Sequence, residues 1–209
     1  MISFIIITNG ARLAKTQREI DSIASQGGSH EIIVAGTLPA GLEGYNKFID
    51  AREAAKKGFL GAMRNAGCAA SSGDVLVVAD DDMVFHPGFV EGIHAYGNDF
   101  DALAVKIHNP DGSRYWDWAI RDPARGQYLI DYDQVDAFTY ITGGMGIYKR
   151  HVWQTVKWSD SISFQQAEDV DFTARLRGAG YRIALNPYCT VTHNDGRYTQ
   201  AGKWVVIHG

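Results

Sequence analysis

Residues 75–82, Val-Leu-Val-Val-Ala-Asp-Asp-Asp, run an entirely apolar strand straight into three consecutive carboxylates. Carboxylates packed this closely repel one another, and desolvation against the strand raises their pKa values unless counter-charge is supplied. A hard divalent cation such as Mg²⁺ or Mn²⁺ supplies it through oxygen ligands while keeping positions for water or phosphate. An isolated acidic triplet is ordinarily a solvated turn. The apolar run in front of this one favours a site, because open α/β sheets gather ligands at the carboxyl ends of their strands.

The rest of the chain bounds that site's surroundings. A length of 209 residues with 45% hydrophobic residues suffices for one packed domain. A net charge of −4, with no dense basic block, argues against a polymeric nucleic-acid partner. Cys68 and Cys189 lie far apart without metal-type spacing, which reads as buried, reduced thiols in a cytoplasmic protein. The opening Met-Ile-Ser-Phe-Ile-Ile-Ile-Thr lacks a positive region and reads as a first buried strand rather than a leader. No apolar run approaches the roughly 20 residues of a transmembrane segment, so any membrane association is peripheral.

Phe4–Ile7, an amphipathic helix carrying Leu13, Ile20, Ile23 and Ala24, and Glu31–Val34 make a strand, helix, strand unit with its loops at one edge of a parallel sheet. Residues 46–57 read as a charged helical connection, 59–70 as a small-residue helix delivering Arg64 towards the acidic strand, and 89–96 as another helix. A strand follows at 102–107. Residues 109–136 read as an aromatic loop region, and 140–148 as strand around Gly143 and Gly144. The clearest late helix begins at Glu168 and Asp169, where negative charge suits the helix dipole. Two extended pieces then lead to His193 and a polar loop holding Arg197.

Four blocks occur in order: Phe4-Ile-Ile-Ile-Thr-Asn-Gly10, Met63-Arg-Asn-Ala-Gly-Cys-Ala-Ala-Ser-Ser-Gly-Asp74, Asp80-Asp-Asp82 followed by His86-Pro-Gly-Phe89, and Glu168-Asp-Val-Asp-Phe-Thr-Ala-Arg-Leu-Arg-Gly-Ala-Gly-Tyr181. In this order and spacing they resemble the inverting family 2 of GT-A glycosyltransferases along nearly the whole chain. The resemblance implies an α/β fold with a mostly parallel central sheet flanked by helices and a Rossmann-like N-terminal half. It implies one domain over 1–209, with 1–100 binding nucleotide and 101–209 holding acceptor and catalytic groups. The implied activity is metal-dependent transfer of a sugar from a nucleoside-diphosphate donor to a saccharide, lipid-linked or protein acceptor.

Site residues follow from the same resemblance. Asp82, His193 and Asp80 form the Mn²⁺ or Mg²⁺ end of the site, with Asp80 touching ribose or metal-bound water and Asp81 nearby on the donor. Arg64 and Arg197 hold the nucleotide diphosphate, and Thr8, Asn9 and Gly36 line the base pocket. Asp169 is the implied catalytic base, Glu168 its competitor, and Gly143 and Gly144 let backbone approach the sugar. Trp116 and Trp118, with Tyr115, either stack on acceptor sugars or form a satellite core under a long loop. The family commonly carries a uracil-reading aspartate pair after its second strand, where this chain has Val34-Ala-Gly-Thr37. The donor base is therefore open. The apolar strand before Asp-x-Asp also suits a haloacid-dehalogenase-type phosphatase, and a catalytically silent nucleotide-sugar-binding subunit is the non-enzymatic alternative.

Overall fold

In the computed structural model the first apolar run is β1 (Ile2–Thr8), followed by α1 (Leu13–Ala24) and β2 (His30–Gly36). The structure describes residues 1–194, 197–200 and 203–206, the last two segments as backbone. The connection expected to be helical over 46–57 divides into β3 (Lys47–Asp50) and α2 (Arg52–Lys57). Strand pairing decides this, because Ile33 to Gly36 of β2 accept Lys47 to Asp50 in parallel register. Helix α3 (Leu60–Ala70), β4 (Val75–Asp80), β5 (Met83–Phe85), α4 (Phe89–Tyr96) and β6 (Ala102–His108) follow.

The aromatic region is more regular than its composition predicts. It holds β7 (Trp118–Asp122) and β8 (Gly126–Leu129), which join β9 (Thr139–Ile141) in a three-stranded antiparallel sheet. Next come β10 (Met145–Lys149), α5 (Arg150–Thr155), α6 (Glu168–Gly178) and β11 (Ile183–His193). The two late extended pieces are one strand, broken in register between Asn186 and Thr190. Strands β12 (Arg197–Gln200) and β13 (Lys203–Val206) form a hairpin.

Eight strands make the main sheet in the order β3-β2-β1-β4-β10-β6-β11-β5. Its first four strands are parallel, and β10 enters antiparallel between β4 and β6. The sheet is therefore mixed. Phe4, Ile6, Val77 and Ala79 face one core cluster, while Ile5, Leu76 and Val78 face the other. Burial on both faces explains why these strands are largely apolar, without regular polar alternation. Close packing also dictates two glycines: a Cβ on Gly67 of α3 would come 2.4 Å from Ile5, and one on Gly36 would come 2.0 Å from the Thr8 carbonyl oxygen. Both cysteines are buried free thiols.

Candidate active site

Parallel register brings the ends of β1, β2 and β4 together, with Thr8 opposite Gly36 and Ile7 opposite Asp80. The loop after β1 is tied down locally: Gly10 N–H donates to Thr8 Oγ1 at 3.0 Å, and Ala11 N–H to Asn9 Oδ1 at 3.0 Å. Gly10 sits at φ +85°, a conformation glycine adopts without steric cost. The Thr8 hydroxyl donates to Asp81 Oδ2 at 2.6 Å. Arg12, at the start of α1, brings its guanidinium to Asp81 Oδ1 at 3.4 Å and to Asp82 Oδ2.

Strand β4 ends at Asp80, and Asp82 N–H donates back to the Asp80 carbonyl at 2.9 Å, turning the chain into β5. Asp82 is 2% exposed. Its Oδ1 accepts no hydrogen bond among the described residues, and His193 Nε2 lies 3.5 Å away. The Tyr115 ring stacks on the His193 imidazole with centroids 4.1 Å apart and planes 12° apart, holding it at the end of β11. Asn194 N–H donates to the Asp82 carbonyl at 2.8 Å, which locks the two strand ends together. Among the described residues no cluster of three or more metal-type side chains gathers. A buried orphan carboxylate oxygen facing an imidazole nonetheless fits a hard cation, which is usually held by one or two protein ligands together with substrate phosphates.

Deeper in the cleft Arg64, 1% exposed, organises three groups. Its Nη1 donates to Glu168 Oε1 at 3.3 Å, and its Nη2 to Asp80 Oδ1 at 3.1 Å and to the Gly143 carbonyl at 2.8 Å. Burial pushes the Asp80 carboxyl up to about 7, with Asp82 and Glu168 adding to the shift and Arg64 opposing it. Gly143 N–H donates to Asp169 Oδ2 at 2.9 Å, and Val170 N–H to Asp169 Oδ1 at 2.9 Å. A Cβ on Gly143 would lie 3.0 Å from Glu168 Oε1, so backbone alone fits between the two acidic side chains. Burial first, then the charge of Glu168, raises the Asp169 carboxyl above its ordinary value. Just before these residues Gln165 and Ala167 adopt φ of +67° and +62°. Such backbone in non-glycine residues costs about 1–3 kcal/mol, a strain that concentrates at functional sites.

Tyr115 and Trp116 lie in one main core cluster and Trp118 in the other. Trp118 is 0% exposed and donates its indole N–H to the Gln134 carbonyl at 2.8 Å. Trp116 is 7% exposed and donates to the Tyr140 hydroxyl at 2.7 Å. Gly144 packs under Met83, whose Cε a Cβ would approach to 2.8 Å. The Arg197 side chain lies outside the described residues.

Two participants escape the sequence reading. Arg12 stands four residues past the end of β1, and the parallel pairing of β1 with β4 puts it at the edge that carries the triplet. Glu19 is a fully buried carboxyl on α1, raised well above the usual range by burial and then by Asp81 and Asp82. A charged residue in the buried stripe of Thr16, Ile20 and Ile23 was its signal.

A sequence profile described as Glycosyltransferase like family 2 matches residues 44–204. The chain belongs to this family. The family match displaces the phosphatase alternative. A curated relative, "Uncharacterized glycosyltransferase YwdF" of Bacillus subtilis (strain 168), is 30% identical over 141 residues, covering 63% of this chain and 49% of its own length. The family 2 chain thus spans about half of that relative. Among solved structures, GalNAc-T7 with UDP, GalNAc and Mn²⁺ superposes with a TM-score of 0.72 at 12% identity, over 97% of this chain and 44% of the other. TarS 1–349 of S. aureus superposes with a TM-score of 0.63 at 15% identity, over 91% of this chain and 60% of the other. TarS 1–349 has also been solved with UDP-GlcNAc. These likenesses make the fold GT-A. No helix among the described residues is long and apolar enough to cross a membrane.

Proposed function

We propose that this domain transfers a sugar from a uridine-diphosphate donor to an acceptor hydroxyl, with inversion, using Asp169 as base. The observation that carries this reading is the divergence of two adjacent carboxyls: Glu168 is buried against Arg64, whereas Asp169 is held by the Gly143 and Val170 N–H groups and stays only half-buried. A half-buried carboxylate with a raised pKa, fixed by backbone donors, suits proton abstraction near neutral pH. Arg64 ties this base region to Asp80 through one guanidinium. One buried guanidinium therefore links the base and donor ends.

Residues 1–100 hold the donor in this reading, with Thr8, Asn9 and Gly36 around the base and Asp80, Asp81 and Arg64 towards the diphosphate. The UDP assignment rests on the bound UDP or UDP-GlcNAc of the structural neighbours. Asp82 and His193 would hold Mn²⁺ or Mg²⁺, which when bound would supply Lewis-acid charge to the departing diphosphate. Residues 101–209 supply Asp169 and the Gly143 approach, and receive a saccharide, lipid-linked or protein acceptor. Asp169 takes the acceptor proton as its oxygen attacks the anomeric carbon from the face opposite the leaving nucleotide.

Mutants separate the roles. Asp169→Asn retains donor binding and loses transfer by roughly 10²- to 10⁴-fold, the usual worth of a positioned general base. Asp82→Ala loses metal-dependent nucleotide binding. Calorimetric binding beside a transfer assay reads both, and the reverse pattern rejects the assignment. Wild-type protein that binds metal and donor without transfer or donor hydrolysis would be a silent binding subunit.

A further inference from the structure

The acidic triplet needs a cation, and one is already there. Arg12 brings a single guanidinium nitrogen to both Asp81 Oδ1 and Asp82 Oδ2. Asp81 and Asp82 are buried at 7% and 2% exposure, whereas the Arg12 side chain is 33% exposed. Arg12 is thus more exposed than either carboxylate it contacts, within reach of an incoming ligand. Its backbone is fixed by hydrogen bonds. The Arg12 carbonyl accepts Thr16 N–H at 3.0 Å and the Thr16 hydroxyl at 3.0 Å, and the turn before it is closed by Asn9 and Thr8.

Asp82 divides its two oxygens between different neighbours. Oδ2 faces Arg12, and Oδ1 faces His193 Nε2 without a hydrogen bond among the described residues. A divalent ion entering at Oδ1 would lie next to a permanent positive charge across one carboxylate. Like charges at such separations, in a partly desolvated site, repel strongly. A diphosphate changes the balance, because a guanidinium fork pairs with phosphate oxygens at least as well as with carboxylate.

We propose that Arg12 is an internal counter-ion that holds Asp81 and Asp82 in the donor-free protein and opposes divalent-cation binding until a nucleoside diphosphate arrives to receive its guanidinium. This rests on the metal-and-diphosphate reading of the site given above. The consequence is coupled loading: the donor-free protein takes up cation weakly, and the diphosphate strengthens that uptake.

The test is Mn²⁺ binding followed by the electron paramagnetic resonance signal of free Mn²⁺, with and without UDP, in wild type, Arg12→Gln and Arg12→Lys. Thermal melts confirm that each variant folds. Without UDP, Arg12→Gln should bind Mn²⁺ about tenfold tighter than wild type, the scale of removing one neighbouring charge at a partly exposed site. With UDP the gain should vanish or reverse, because the guanidinium contact to the diphosphate is lost. Arg12→Lys keeps the charge and should keep weak UDP-free binding. Equal or weaker UDP-free Mn²⁺ binding by Arg12→Gln, in a protein that still binds Mn²⁺ with UDP, overturns the counter-ion role. So does a tenfold gain in Arg12→Lys. Absence of Mn²⁺ binding by wild type even with UDP instead removes the metal reading beneath the proposal.

Discussion

Glu168 and Asp169 are neighbours in sequence with the same charge, and their surroundings give them different chemistry. Glu168 spends its carboxylate on Arg64, and its charge raises the pKa of Asp169. A base works only when deprotonated, so transfer should rise with pH along a limb lying above the ordinary carboxylate value of Asp169. Glu168→Gln removes the raising charge and should move that limb to lower pH; an unmoved limb in kcat/KM against pH would separate Asp169 from it. At this scale the sequence was legible where a residue type is rare in its position. Asp82, His193, Arg64 and the late acidic pair are polar groups next to apolar runs. Arg12 was not legible, because an arginine in a first-loop turn is ordinary until the sheet register brings it over the triplet. Trp116 and Trp118 are buried, a placement that aromatic composition alone does not fix.

Elements show which patterns carry over and which need a partner to be seen. The apolar strands β1, β2 and β4 were plain from composition. Strand β3 was not, because Lys-Phe-Ile-Asp has no strong period and is a strand only by pairing with β2. The same holds for β7 and β8, whose hairpin is set by pairing rather than by local propensity. One polar network binds β1, β2 and the turn before β4. Glu31 Oε1 accepts the Ser3 hydroxyl at 2.7 Å, Ser72 N–H at 2.5 Å and the Ser72 hydroxyl at 2.8 Å. Burial raises the Glu31 carboxyl, but these donors and Lys47 outweigh it and hold the group at about 2. A lowered carboxylate pKa contributes stability that is present above the unfolded value of 4.5 and lost as pH falls through about 2. Glu31→Gln should therefore cost about 2 kcal/mol at neutral pH and flatten the acid arm of stability against pH. Urea melts at several pH values read this, and an acid arm unchanged by the substitution would contradict it.

Across the whole molecule, β10 is the element that makes one site out of two stretches of chain. By entering antiparallel beside β4 it ties Gly143 and Gly144, which precede it, to the strand that ends at Asp80; Asp80 N–H donates to the Gly144 carbonyl at 3.0 Å. Strand β11 pairs with β5 and carries His193 back to Asp82. Order along the sequence suggested this assembly, but only the pairing of β10 and β11 shows why residues more than sixty positions apart meet. The central claim is that this assembly binds a nucleoside diphosphate through a divalent cation. The most direct measurement is the thermal shift of the wild-type protein with UDP, GDP, TDP, CMP or ADP, each with Mn²⁺, Mg²⁺ or chelator. UDP should stabilise the fold with metal and lose that effect in chelator; stabilisation by UDP that survives chelation, or no response to any nucleoside diphosphate with metal, would contradict the account.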